Sequence, residues 1–252
     1  HHWTLQLWHG DHGWHPGSGE TAKALAQWCQ QRGLPLHISQ STPSTTGSEA
    51  GARRWRYDEL HGLCRQLHES GASNPCNTVV TGHTASDRAE TLLLQLSRGT
   101  DLAGLGSLRR QRPLNADAGD GILLSRPLLG FSRDDTAAIC HDLQLPIWLD
   151  PSNIDPRFNR NRIRQDVLPV LEAMHPGCSR RMAELSERLS QVRDIQESLA
   201  DLSLGQLNNA DQGLERRPLQ QLPAAARRLL LQRWLQCQGV SALPASQLEE
   251  LS

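Results

Sequence analysis

The 252 residues contain a single lysine, Lys23, no C-x-x-C pair, and no apolar run near the ~20 residues that span a bilayer. Each shortage excludes something. Cys29, Cys64, Cys76, Cys140, Cys178 and Cys237 are scattered singly, which argues against zinc or dithiol chemistry and reads as reduced thiols. No signal-peptide pattern stands at His1, so a soluble, cytoplasmic chain is expected. With lysine nearly absent the cations are arginines, and although the formal net charge is only -1 they concentrate in "RRWRY" (53–57) and "PRFNRNRIR" (156–164). The planar guanidinium fork suits phosphate better than a point charge does. One large domain, or one plus a smaller appendage, is expected at this length. The chain opens inside a strand pattern and stops inside a helical one, so a fragment is expected.

Strand and helix signals alternate over the first two thirds. "WTLQLWH" alternates apolar and polar residues before a Gly/Pro-rich loop, a helix follows over about 19–32, and "LPLHIS" (34–39) is a short strand. A polar Ser/Thr loop then leads to helical spacing over 49–69, a buried strand at 77–83, a helix over 85–98, a strand at 121–129 and a helix over 132–144. Such alternation predicts an α/β domain with a parallel sheet covered on both faces, binding ligands beyond the carboxyl ends of its strands. The loops 9–18, 40–48 and 82–87 then share one rim. From about residue 161 only helical signals remain. Met182, Leu185, Leu189, Val192, Ile195 and Leu199 form one stripe of a long amphipathic helix, expected to be ordinary core packing, and helices are expected at 218–239 and 244–251.

Three stretches hold residue types that do chemistry. "WHGDHGWHPGSG" (8–19) gathers His9, Asp11, His12 and His15 in one loop, as a metal site would. "TGHTASDRAET" (81–91) places Asp87 and Glu90 three apart on one helix face, where they can hold Mg2+ or a cationic substrate. Thr84 and Asp87 equally satisfy a capping box, with Glu90 a surface charge. "DPSNIDPRFNRNRIR" (150–164) sets arginines after a rigid turn, which suits a phosphate or RNA clamp and equally a salt-bridged helix start.

In combination these are more specific. "GHTASDRAET", followed by "RPLLGFSRDD" and "LPIWLDPSNIDPRFNRNRIR" and preceded by "GARRWRYDEL", closely resembles the tRNA(Ile)-lysidine synthetases of the PP-loop ATP pyrophosphatase superfamily over about residues 5–172. The resemblance implies a PP-loop catalytic domain at 1–165 and a smaller all-α, tRNA-contacting domain at 166–252. It also implies an ATP-dependent ligase that adenylates the C2 oxygen of the wobble cytidine of a CAU-anticodon tRNA(Ile). The amine of free lysine then displaces AMP. The partners so implied are ATP with Mg2+, lysine and that tRNA, with a homodimer as a candidate assembly.

Carried over by motif, Asp87 and Glu90 become candidates for lysine or metal binding, with Mg2+ assigned to Asp87. Arg53 and Arg56 become catalytic candidates facing the ATP phosphates or the cytidine. His9, His12, Gly13, Gly82 and His83 line the nucleotide site, and Arg160, Asn161, Arg162 and Arg164 contact the tRNA. Three departures stand out. The S-G-G-x-D-S phosphate loop is absent from these residues, and the family places it upstream of the strand near His2, so weak ATP binding by this polypeptide is expected. Ser86 stands where many members have another acid, and "GWH" (13–15) replaces the more usual G-L-R. Two competing readings are a non-catalytic tRNA-binding protein and a metallohydrolase built on His9, Asp11, His12 and His15.

Overall fold

A computed structural model describes residues 3–15, 17–42, 48–69, 76–106, 108–116, 118–207, 213–240 and 247. The expected helix at 244–251 and the tip of the Ser/Thr loop at 43–47 fall outside the described residues, apart from Gln247.

The first strand, β1 (Leu7–Asp11), runs two residues further than its alternating pattern, and α1 (Ser18–Gln31) ends where Gly33 turns with a φ of 64°. β2 (Leu36–Gln40) lies parallel to β1, with His9 opposite Ile38. After α2 (Glu49–Glu69), β3 (Thr78–Val80) feeds α3 (Ala85–Ser97), and the short α4 (Leu102–Leu105) follows. β4 (Gln111–Pro113) has no sequence signal and pairs antiparallel with β5 (Leu123–Ser125), which pairs parallel with β3. The single parallel sheet expected from the sequence is therefore, among the described residues, a parallel pair and a separate three-stranded sheet of order β3-β5-β4. The strand expected over 121–129 stops at Ser125, and Pro127, which has no N–H for a ladder, opens a 3-10 turn at Pro127–Gly130.

α5 (Arg133–Asp142) precedes a 3-10 turn at Pro151–Ile154 and then one helical run made of α6 (Asn159–Arg162), a π turn (Ile163–Val167) and α7 (Leu168–Met174). Pro169 at the head of α7 cannot donate to Gln165, and the wider turn relieves the clash that its ring would make there. α8 (Cys178–Leu207), α9 (Arg216–Gln220) and α10 (Ala224–Cys237) complete the chain, the helix expected over 218–239 being broken at Pro223.

Leu60 and Cys64 of α2 pack on Val79, Leu124, Leu114 and Ile122 to form one core, and Ala200, Leu204, Leu219 and Leu230 form a second among the C-terminal helices. The two are joined where α8 lies along α3 and α4. That seam overturns the expected packing of α8. Ala183, Ser186 and Ser190 face the seam, and Ser186 donates to the Leu105 carbonyl at 2.9 Å. Leu185, Val192, Ile195 and Leu199 are exposed. The backbones approach too closely for large side chains: a Cβ on Gly106 would stand 2.7 Å from the Ser190 nitrogen.

Candidate functional site

The carboxyl ends of the parallel strands β1 and β3 open into one cavity of about 700 Å3. It is walled by the β1 loop from His9 to His15, by Thr81, Gly82 and His83 after β3, and by the loop that leads into α6. Arg53 and Arg56 reach it from α2, and Asp87 from the first turn of α3. Parallel strands bring their carboxyl ends to one side, which is why segments far apart in sequence meet there.

The β1 loop is not a metal site. Asp11 accepts the Gly13 N–H at 2.9 Å, and Gly13 makes this turn at a φ of 65°. Burial acts against the Asp11 carboxylate, but that hydrogen bond and the Ser18 hydroxyl hold its pKa below the ordinary value. His12 lies 3.2 Å through Nε2 from an Arg56 amine, stacks on Trp14 at 5.1 Å between ring centroids and meets the edge of Trp55. Burial, then the Arg56 charge, lower its pKa, so it is a neutral ring that accepts from Arg56 and fixes that guanidinium. Trp14 in turn stacks on Phe158 at 5.3 Å, tying the β1 loop to the arginine loop. Among the described residues no group of three or more His, Cys, Asp or Glu side chains is arranged to hold a metal ion, which removes the metallohydrolase reading.

His83 receives or donates a hydrogen bond with Thr81 Oγ1 at 2.9 Å through Nδ1. Burial first, then the charges of Arg126, Arg160 and Arg53, push its pKa down to about 4, so it is neutral at physiological pH. Arg53 and Arg112 stack over the Tyr57 ring at 4.9 and 5.1 Å, and Arg126, almost wholly buried, donates to the Arg109 carbonyl at 2.7 Å. Of these cations Arg53 lines the cavity beside Arg56, a pair that fits the phosphates of a nucleotide, and the glycines at the strand ends leave room for its base.

The opposite wall carries the carboxylates. Thr84 and Asp87 do form the capping box: Asp87 Oδ2 accepts the Thr84 N–H at 2.7 Å and its hydroxyl at 2.8 Å. Asp87 is nevertheless more than a cap, because its Oδ1 accepts from Arg160 at 2.9 Å. Burial opposes its ionisation, while Arg160 and the Thr84 hydrogen bonds outweigh burial and lower its pKa. Glu90, expected as a surface charge or ligand, is 1% exposed and lies between Arg160 (2.8 Å) and Arg164 (2.6 and 2.9 Å). The two arginines, four residues apart, share the face that meets α3.

The four expected RNA contacts therefore separate. Arg160 and Arg164 point inward to the carboxylates. Asn161 is buried, and its amide holds the loop through the Ser152 and Asp155 carbonyls at 2.8 and 2.9 Å. Arg162 alone of the four is exposed, 3.8 Å from Asp166. The sequence reading missed Arg133, which lines the cavity 3.7 Å from Asp87 and 4.0 Å from Glu90, together with Trp14 and Tyr57. A signal for Arg133 was present: "SRDD" (132–135) is a capping box that fixes it as the first residue of α5.

Residues 1–171 match the PP-loop domain family, and residues 214–252 match the TilS substrate binding domain. The tRNA(Ile)-lysidine synthase of Parasynechococcus marenigrum (strain WH8102) is 60% identical over 252 residues, all of this chain and 72% of that protein. A tRNA(Ile)-lysidine synthase of Prochlorococcus marinus is 41% identical over 250 residues, 99% of this chain and 73% of its own length. Among solved structures, the U34-tRNA thiolase NcsA from Methanococcus maripaludis covers 75% of this chain and 62% of itself with a TM-score of 0.50, a likeness of fold at 19% identity.

Proposed function

The chain belongs to the tRNA(Ile)-lysidine synthases, ATP-using ligases of the PP-loop family that act on tRNA, and we propose from that premise how its own residues divide the reaction. The observation that carries the division is the polarity of the cavity, with cations on the α2 side and Asp87, backed by the buried Glu90, on the α3 side.

ATP lies against His9, His12, Gly13, Gly82 and His83, with Arg53 and Arg56 toward its phosphates. Charge that develops there during adenylation of the wobble cytidine meets guanidinium groups already in place, so stabilising it needs little reorganisation. Neutral His12 supports this by fixing Arg56, and neutral His83 adds no further positive charge. Mg2+ would enter as the counter-ion of ATP, with Asp87 the carboxylate of the α3 wall able to reach it.

Lysine is held by Asp87 and Glu90. Two carboxylates are needed because a charged amine loses its hydration on entering the cavity and must recover it as ion pairs. Arg160 and Arg164 act through those carboxylates as positioning residues, and the π turn sets Arg164 over Glu90. Arg162 faces the tRNA backbone. Residues 1–165 act as the catalytic domain and 166–252 as the helical tRNA-contacting domain of a cytoplasmic enzyme. No helix among the described residues is long and apolar enough to cross a membrane. Its synthase relatives disfavour the non-catalytic alternative.

Two substitutions separate the roles. Asp87→Asn is expected to abolish incorporation of labelled lysine into CAU-anticodon tRNA while leaving tRNA affinity within about twofold, because only the carboxylate charge is lost. Equal loss of tRNA binding would contradict the assignment. Arg162→Gln is expected to weaken tRNA binding and reduce the slope of log affinity against log salt by about one. An unchanged slope would remove Arg162 from the interface.

A further inference from the structure

Each carboxylate oxygen offers two lone-pair directions. Asp87 Oδ2 uses both on Thr84, and Glu90 Oε2 uses both on Arg160 and Arg164. Asp87 Oδ1 holds Arg160, and Glu90 Oε1 holds Arg164, so each retains one direction for another donor. Among the described residues, the further cation within 4.0 Å of both these oxygens is Arg133. At 3.7 and 4.0 Å it pairs with them electrostatically and does not hydrogen-bond.

Arg133 is set there by its backbone. It opens α5 behind the Ser132–Asp135 capping box, and its N–H donates at 3.1 Å to the Ser86 hydroxyl in the first turn of α3. Ser86 thus ties the start of α5 to the start of α3. The Arg133 side chain is about half exposed and lines the cavity. Asp87 Oδ1 and the Arg133 guanidinium are consequently neighbours on one patch of wall, with the Glu90 carboxylate buried behind it.

We propose that Arg133 binds the α-carboxylate of the amino-acid substrate, that Asp87 Oδ1 takes its α-ammonium with the buried Glu90 charge behind it, and that its side-chain amine is thereby left to reach the reacting cytidine. The proposal rests on the assignment of lysine to Asp87 and Glu90. An α-amino acid carries ammonium and carboxylate on one carbon, so its receptor must set acceptors beside a cationic donor, as this wall does. Charge gives the same answer. Two carboxylates with Arg133, Arg160 and Arg164 carry a net charge of one positive unit; a lone ammonium would raise it to two in a largely desolvated site, whereas the zwitterionic end leaves it unchanged.

Reactivity agrees as well. An amine gripped between carboxylates is stabilised as ammonium and has no lone pair for attack. The gripped amine is therefore not the nucleophile, and the four methylenes of lysine put the other amine about 6 Å from the α-carbon.

The test is equilibrium binding of L-lysine and lysinamide, which lacks only the carboxylate charge, to the wild-type chain, Arg133→Gln and Asp87→Asn. Thermal melting serves as the control for folding. Wild type is expected to prefer lysine over lysinamide by about ten- to a hundredfold, the range for a charge-assisted hydrogen bond. Arg133→Gln is expected to bind both equally, at the level that wild type shows for lysinamide. A variant that retains the preference, or binds lysine more tightly than wild type, overturns the role of Arg133. Lysine binding that survives Asp87→Asn, or no binding to wild type, overturns the underlying assignment of lysine to these carboxylates instead.

Discussion

Helices α3 and α8 lie side by side and distribute their side chains in opposite ways. α3 buries Arg88 and Glu90 together with Ala89 and Leu92, whereas α8 buries Ala183, Ser186 and Ser190 and leaves Leu185, Val192, Ile195 and Leu199 in solvent. The charges on α3 can be buried because each has a partner: Arg88 pairs with Glu187 of α8 and donates to the Leu108 carbonyl at 3.1 Å, and Glu90 lies between two arginines. Leu185, Val192, Ile195 and Leu199 stay out because small residues allow the close backbone approach at Gly106. Burial here follows geometry and pairing, and hydrophobicity alone would have ranked these residues in the reverse order.

Breaking the charged side of this contrast has the largest expected effect. Glu90→Gln leaves Arg160 and Arg164 without their shared counter-ion and is expected to cost about 2–4 kcal/mol in denaturant unfolding, below the ~3–5 kcal/mol of a fully buried broken pair because both arginines keep some solvent contact. A loss below about 1 kcal/mol would mean that the carboxylate is not buried in an ion pair. The close approach is the next most sensitive feature. Gly106→Ala places a methyl group against the Ser190 backbone and is expected to cost about 1–3 kcal/mol through separation of α4 from α8; no change in the unfolding midpoint would show that the contact is loose. Least sensitive is the outer stripe. Ile195, 59% exposed, is expected to tolerate serine within about 0.5 kcal/mol, and a larger loss would show that the stripe is covered in solution.

Much of the fold was legible locally. Thr84-x-x-Asp87 and Ser132-x-x-Asp135 both cap helices as their spacing implies, and α2 runs over the residues that its periodicity picked out. β4 left no signal because "QRP" (111–113) is too short for alternation and pairs only through its backbone with β5. The stripe on α8 was a true helical signal, but periodicity records which residues share a face and not whether that face meets another element.

The candidate site divided in the same way. Motifs marked Asp87, Glu90 and the arginine run, yet residues about seventy positions apart in sequence pair with one another, and no local pattern encodes that contact. Composition suggested metal in "WHGDHGWH" (8–15), whereas the fold makes it an aromatic wall, since His12 turns to Arg56 and Trp14 to Phe158.

By itself the sequence determined where most helices begin and which residues carry charge, because caps, turns and periodicity act within a few residues of chain. Only the tertiary structure decided the partner of each charge. A buried carboxylate keeps its charge only beside a cation that packing delivers from elsewhere, and that delivery turns Arg160 and Arg164 inward while Arg162, on the same turn, faces solvent.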